Sequence, residues 1–265
     1  MGEMRLSEIW IYPIKSMGGI RLAHSTVMEK GLQHDRRWML VDVYNVFITQ
    51  RIYPLMALFR LEPLAEGFKI SFRNDAIELP NNHSTLPIEI HAKIWDDEVT
   101  TFEVSDLYSR WFSEKLGLKC KLVYFPEQNR RAVDVNFQIK KENVSLSDGY
   151  PLLMIGQASL DDLNSRLEFP VPMNRFRPNL VFTGGQPYEE DSWKLLTIGN
   201  NKFVGVKPCS RCVLTTVDQN TGEKGKEPLA TLAKYRQREN KIYFGQNLLS
   251  IDHHTIHEGD EIKLL

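Results

Sequence analysis

The chain has 265 residues, 42% of them hydrophobic and 25% charged, and its 33 lysines and arginines against 34 aspartates and glutamates leave a formal net charge of −1. That balance excludes a nucleic-acid polymer or a charged membrane surface as a generic partner. A fold of this size buries roughly three quarters of its unfolded surface, so a sizeable core is expected.

The first apolar run, Ile9 to Ile14, is six residues long and interrupted by Pro13, too short for a signal segment or a membrane span. Alternation of apolar and polar residues predicts strands in RLSEIWIYPI, WMLVDVYNVFITQ, ALFRLEPLAEGFKISFRN and IEIHAKIWDDEVTTFEV, with turns at NVF, EGF, RND and WDDE. In SDLYSRWFSEKLGL the period changes: Leu107, Trp111, Phe112 and Leu116 fall at helical spacing, and Gly117 is placed to end the helix. KCKLVYFP reads as a buried strand running into Pro126. The polar stretch from Pro126 to about Ser147 reads as a linker or a long mobile loop. PLLMIGQASLDDLNSRLE follows, with Ser159 expected to cap a helix over Leu160–Leu167. RPNLVFTGG, KLLTIGNNKFVGVKP, CVLTTVD, KIYFGQNLLSI and DEIKLL read as strands and EPLATLAKYRQ as a helix. The chain is therefore expected to be mainly β with a few helices, in two β modules covering 1–125 and 126–265.

Of the three cysteines, Cys120 stands apart and Cys209 and Cys212 share a C-x-x-C, which is no disulfide framework and points to a reducing, cytoplasmic compartment. The pair admits several readings. A zinc corner needs two more ligands, which His254 and His257 offer at ligand-like spacing. A redox dithiol needs a helix after the pair, whereas VLTTV is β-branched and strand-like. Two small packed hydrophobes are the plainest reading. Three details set Cys212 apart. Pro208 and Ser210 place it in a turn after a strand, and Lys207 and Arg211 make the neighbourhood positive, which suits a sulfur that binds metal as thiolate. Alternation further sends Cys212 and Ser210 to one side and Arg211 to the other. Basic islands end or begin strands elsewhere: YPIKS (Tyr12–Ser16), HDRRW (His34–Trp38) and NRFRPN (Asn174–Asn179). Arginine grips phosphate in a bidentate fork, while lysine and serine add a point charge and a hydroxyl, so together the islands describe an anion pocket with one soft ligand.

The ordered set YPIKS, GLQHDRRWMLVD, LSDGYPLLMIGQASLDDLNSRL, NRFRPNLVFTGG, YEEDSW, CSRCVLTTVDQNTGE, EPLATLAKYR and FGQN resembles the MOSC family, and within it the mitochondrial amidoxime reducing components and their bacterial relatives. The likeness runs from residue 6 almost to the C-terminus. It implies an N-terminal MOSC-type β-barrel module (1–125) followed by a MOSC β-barrel (126–265), with a molybdenum cofactor (Mo-molybdopterin) between them. It further implies Cys212 as metal ligand and catalytic centre, and Cys209 as unassigned to the metal. Pterin and phosphate contacts would fall on Lys15, Ser16, Arg36, Arg177, Asn179, Ser210 and Arg211. The family's Thr-Ser-Pro is here Gly149, Tyr150 and Pro151, so that its hydroxyl contacts are lost or replaced by backbone N–H groups, and its Tyr after FGQ is Asn247. The implied activity is reduction of N-hydroxylated substrates such as amidoximes, hydroxylamines and N-hydroxylated bases. The alternative is a cofactor carrier or sulfur-handling protein. The sequence stops at Leu265 after the last expected strand, and three cysteines cannot build an all-cysteine iron–sulfur site. A separate electron donor is therefore expected: a flavoprotein reductase, a ferredoxin or a cytochrome b5-like protein.

Overall fold

The strand Arg5–Ile11 does not stay with the segment that follows it in sequence. In the computed structural model, which describes residues 3–265, it pairs antiparallel with Leu180–Thr183 on one side and with Ile20–Leu22 on the other. It is thereby one stave of a nine-stranded sheet whose order is Ile262–Leu264, Leu195–Ile198, Asn201–Arg211, Lys241–Ser250, Leu152–Gly156, Leu180–Thr183, Arg5–Ile11 and Ile20–Leu22, with Gln237–Arg238 pairing to Lys241–Ser250. An antiparallel bridge between Arg5 and Glu261 brings the first stave beside the last, so the path closes into a barrel. Leu6 N donates to Asp260 O at 2.9 Å and Ile262 N to Met4 O at 2.9 Å across that seam. Closure removes the exposed sheet edge that would otherwise template association.

Leu152–Gly156 and Leu180–Thr183 run parallel, joined through helix α2 (Gln157–Asn164). A parallel stave covered by a helix is buried on both faces, which is why LLMIG is apolar throughout instead of alternating. α2 begins two residues before Ser159, so that residue is no N-cap. Its hydroxyl instead donates to the buried Glu190 carboxylate at 2.9 and 3.0 Å.

The earlier half of the chain forms a four-stranded sheet (Trp38–Val41, Lys121–Tyr124, Asp97–Glu103, Glu89–Ile94), a meander (Phe59–Leu64, Gly67–Phe72, Asp75–Pro80) and helix α1 (Asp106–Leu116). Gly117 ends α1 in the left-handed conformation (φ 66°), as the sequence indicated, and Phe112 packs on Phe59 with ring centroids 5.3 Å apart. A third helix, α3 (Leu229–Arg236), lies against Lys241–Ser250. The architecture is mainly β with three helices, as expected.

Two further expectations are overturned. The polar stretch after Pro126 carries no regular strand or helix, yet it is no free linker. Val133, Val144 and Leu146 are buried, and the Arg131 guanidinium ties it together by donating to Asp97 Oδ2 (2.7 Å), Ser145 O (2.9 Å) and Ser147 O (2.6 Å). Polar composition misled because one buried arginine satisfies several backbone carbonyls at once. The segment after Cys212 is a 3-10 turn, Val213–Thr216, instead of a strand. The Thr215 and Thr216 hydroxyls donate back to Cys212 O (3.0 Å) and Val213 O (2.8 Å), a local bond that outweighs β propensity.

Candidate cofactor-binding site

A cavity of about 850 Å³ opens where the barrel meets the earlier half of the chain. Eleven of the twelve residues singled out from sequence line it: Lys15, Ser16, Arg36, Gly149, Tyr150, Arg177, Asn179, Ser210, Arg211, Cys212 and Asn247. Pro151 is the exception. It is buried in the turn into Leu152–Gly156, its carbonyl packed so closely on Gly31 that a Cβ there would meet the oxygen at 2.5 Å. The wall carries seven cationic side chains (Lys15, Arg36, Arg51, Arg177, Lys207, Arg211 and Lys241) against two carboxylates, Asp96 and Asp148, so its chemistry favours an anion.

Two clusters organise these charges. In the first, the Tyr12 ring is sandwiched between the guanidiniums of Arg36 (4.5 Å to the centroid) and Arg177 (4.2 Å). Tyr12 donates to Pro178 O at 3.0 Å, and burial pushes its hydroxyl well above the usual phenol range. Arg36 Nη1 donates to the fully buried Asp35 (2.6 Å) and to Asn179 Oδ1 (3.2 Å), and Asn179 Nδ2 reaches Trp10 O (3.1 Å). Arg177 Nη1 donates to Met17 O at 2.6 Å, while burial pushes the guanidinium down to about 10. Ser16, Arg36 and Arg177 have left-handed backbones (φ 67°, 52° and 55°), which side-chain-bearing residues rarely adopt and which tight tertiary contacts must enforce.

The second cluster surrounds Cys212. Arg51 Nε donates to Cys212 Sγ at 3.1 Å and its Nη2 to Asp148 Oδ2 at 2.7 Å, with the guanidinium 4.5 Å over the Trp95 ring. Asp148 Oδ1 accepts from Lys15 Nζ (2.7 Å) and Trp95 Nε1 (3.2 Å). Burial of the surroundings would raise the Asp148 carboxyl, but Lys15 and Arg51 override it and hold the group well below the usual carboxylate range. Lys15 is pushed down to about 8, since the loss of water around it outweighs the help of Asp148. Tyr150, on the same wall, is pushed up to about 12, by burial first and the neighbouring Asp134 second.

Arg211 differs from expectation. Ser210, Arg211 and Cys212 all line the cavity, although alternation sends Arg211 to the other side, and the strand that leads to them carries register shifts between Gly205 and Lys207 and between Pro208 and Ser210. Arg211 Nη1 donates to Cys209 Sγ at 3.0 Å and Nη2 to Phe176 O at 2.6 Å, while its Nε is buried without a partner. The cation beside Cys212 is Arg51, which composition near the C-x-x-C could not reveal. Asp148 and Trp95 were missed too, although Asp148 stands inside the quoted LSDGYP. The zinc corner has no geometric basis: no three His, Cys, Asp or Glu side chains among the described residues are grouped to hold a metal. His257 instead faces His24 across the strand pair Thr255–His257 and His24–Met28. No helix among the described residues is long and apolar enough to cross a membrane.

The MOSC N-terminal beta barrel domain model matches residues 3–119 and the MOSC domain model residues 141–263. The chain is 33% identical over 280 residues to mitochondrial amidoxime-reducing component 1 of Mus musculus, covering 98% of this chain and 82% of that protein. Its human counterpart is likewise 33% identical, with the same 82% covered. A molybdenum cofactor sulfurase of Oryza sativa subsp. japonica is 31% identical across 98% of this chain, but the chain spans only 34% of that longer protein. The chain belongs to the MOSC family, with an N-terminal MOSC β-barrel domain followed by a MOSC domain.

Proposed function

We propose that the cavity holds a molybdenum cofactor and that the chain is a reductase of N-hydroxylated compounds. The observation that carries this reading is a cysteine sulfur in the wall of a cavity lined by seven cations and two carboxylates, one of those cations, Arg211, keeping a buried Nε without an acceptor. That donor set fits a group with an anionic phosphate and a soft metal. Cys212 would hold the metal, and Lys15, Arg36 and Arg177 the phosphate through charge-assisted hydrogen bonds. Ser16, Asn179, Ser210, Arg211, Asn247 and the Gly149–Tyr150 backbone would surround the pterin. When bound, the cofactor supplies two-electron oxygen-atom transfer. Arg51 orients the Cys212 sulfur through its N–H bond, and Asp148, held ionised, fixes Arg51 and Lys15 in turn. In the net reaction the N–O bond breaks, two electrons and two protons are taken up, water leaves and the N–H compound remains.

The electrons must come from a redox centre outside these residues, and relatives named amidoxime-reducing components imply an electron-donor partner; a flavoprotein reductase, a ferredoxin or a cytochrome b5-like protein would fill that role. The test is elemental analysis of protein made where molybdenum cofactor is available, followed by benzamidoxime with reduced viologen as donor. About one molybdenum per chain and formation of benzamidine are expected from one Cys212 site. Full metal without reduction would instead favour a carrier or sulfur-handling role, the reading that the rice sulfurase relative supports. Absence of molybdenum would sink both.

A further inference from the structure

The turn between strands Glu89–Ile94 and Asp97–Glu103 holds two residues, Trp95 and Asp96. Trp95 has φ 55°, a left-handed conformation for which hairpins favour glycine or asparagine. A tryptophan kept there stores backbone strain, and such strain points to a use for the side chain. That side chain is no core filler. Trp38 and Trp193 are 1% and 2% exposed, whereas Trp95 is 41% exposed and lines the cavity. Its orientation is fixed on three sides: the Arg51 guanidinium 4.5 Å from the ring centroid, Phe47 packed edge-on at 4.8 Å, and the indole N–H donating to Asp148 Oδ1 at 3.2 Å. An aromatic held in this way loses little entropy when a ligand stacks on it.

Asp148 adds a polar handle. An ionised carboxylate accepts about four hydrogen bonds. Lys15 and Trp95 use Oδ1 and Arg51 uses Oδ2, and the side chain is 56% exposed toward the cavity, so an acceptor position on Oδ2 is open to a ligand. Both residues touch Arg51, whose Nε lies 3.1 Å from Cys212 Sγ, so they stand beside the sulfur.

We propose that Trp95 and Asp148 are the substrate-selecting pair of this site: a planar conjugated group stacks on the exposed indole while an N–H next to its N–OH donates to Asp148. The pair rests on the reductase reading above and sharpens it to conjugated amidoximes and N-hydroxylated amidine-type heterocycles in preference to flexible aliphatic compounds. Stacking of a planar ring on a protein aromatic changes affinity by roughly tenfold or more.

The test compares ligands that share the amidine group and differ in the ring. Benzamidine and acetamidine are titrated by calorimetry into the cofactor-loaded protein and into Trp95→Leu, and benzamidoxime and acetamidoxime are compared as substrates. Trp95→Leu is expected to weaken benzamidine binding roughly tenfold and acetamidine less than twofold, raising KM for benzamidoxime more than it lowers kcat. Trp95→Phe restores most of the preference, and Asp148→Asn weakens both amidines. Equal losses for the two amidines, or no loss for either, would overturn the pair, because Trp95 would then only prop Arg51 and Asp148. Wild-type protein that reduces neither amidoxime overturns the reductase reading itself, whereas reduction of both with an unaltered ratio in Trp95→Leu overturns the pair alone.

Discussion

Cys209 and Cys212 lie three residues apart, and each sulfur accepts one guanidinium hydrogen bond, yet the two arginines come from opposite scales of the fold. Cys209 is bonded by Arg211 at 3.0 Å, two residues away in sequence, and Arg211 spends its other donor on Phe176 O. Cys212 is bonded by Arg51 at 3.1 Å, 161 residues away, and Arg51 is itself clamped by Asp148 and the Trp95 ring. The first pair is an accident of neighbourhood, packed at the edge of a core cluster that includes Leu153, Phe176 and Phe244. The second joins the N-terminal half of the chain to the barrel at the sulfur proposed to bind metal. What separates the cysteines is therefore the tertiary partner, since their local surroundings are nearly the same.

The sharpest way to break this contrast is to remove the sulfur. Cys212→Ser is expected to reduce viologen-driven benzamidoxime turnover to background while much of the pterin stays bound, because the phosphate contacts proposed for Lys15, Arg36 and Arg177 are untouched. Near-normal turnover in that variant would sink the metal assignment. Next comes the partner: Arg51→Ala should lower turnover or molybdenum retention by about 10–100-fold, the usual effect of deleting a group that orients a metal ligand. Arg211→Ala should cost markedly less, since that arginine bonds Cys209 and is proposed to touch the pterin but not the Cys212 sulfur. Arg51→Lys is not expected to rescue, since a lysine cannot reach a sulfur and a carboxylate with one planar fork. Equal losses for Arg51→Ala and Arg211→Ala, read as molybdenum per chain and rate, would erase the distinction.

The sequence carried a good deal of this. The strands of the barrel and the left-handed end of α1 at Gly117 follow from periodicity and capping chemistry, whereas the eleven cavity-lining residues follow from the resemblance to the MOSC family. What it could not carry is long-range. Nothing in ITQRIYP marks Arg51 as a partner of Cys212, because pairing across 161 residues leaves no local pattern. The register shifts between Gly205 and Lys207 and between Pro208 and Ser210 likewise leave no mark in the sequence pattern, and Arg211 lines the cavity although alternation sends it to the other side. The stretch after Pro126 looks like a linker because its polar groups are satisfied by Arg131 and buried backbone, a network visible only once the chain is folded.

A smaller effect reports on the Cys212 side alone. Lys15 hangs on the same Asp148 that holds Arg51, and burial lowers it from 10.5 to about 8. In the unfolded chain the amine keeps its proton up to about pH 10.5, whereas in the folded cofactor-free protein it releases it above about pH 8. Between these values the unfolded state binds more protons, so this group makes stability rise with pH, by up to about 1.4 kcal/mol per unit. Lys15→Met should remove that rise. The difference in urea-unfolding free energy between wild type and variant at pH 8, 9 and 10 measures it, and a flat difference would mean that Lys15 keeps its ordinary affinity for protons.

The smallest expected effect closes the contrast from the other cysteine. In Cys209→Ser the hydroxyl oxygen replaces sulfur as acceptor for Arg211 Nη1, and Arg211 keeps its bond to Phe176 O, so the strand end stays in place. The half-buried sulfur gives up some packing against its apolar neighbours, about 1 kcal/mol at most by the scale of conservative changes at partly exposed sites. Molybdenum content and benzamidoxime turnover are expected to stay within about twofold, since a substitution that removes no contact to the reacting group leaves the barrier nearly untouched. Should Cys209→Ser instead lose metal as Cys212→Ser is expected to lose turnover, the two sulfurs act as a pair after all, and the Arg51 clamp ceases to explain why one of them is singled out.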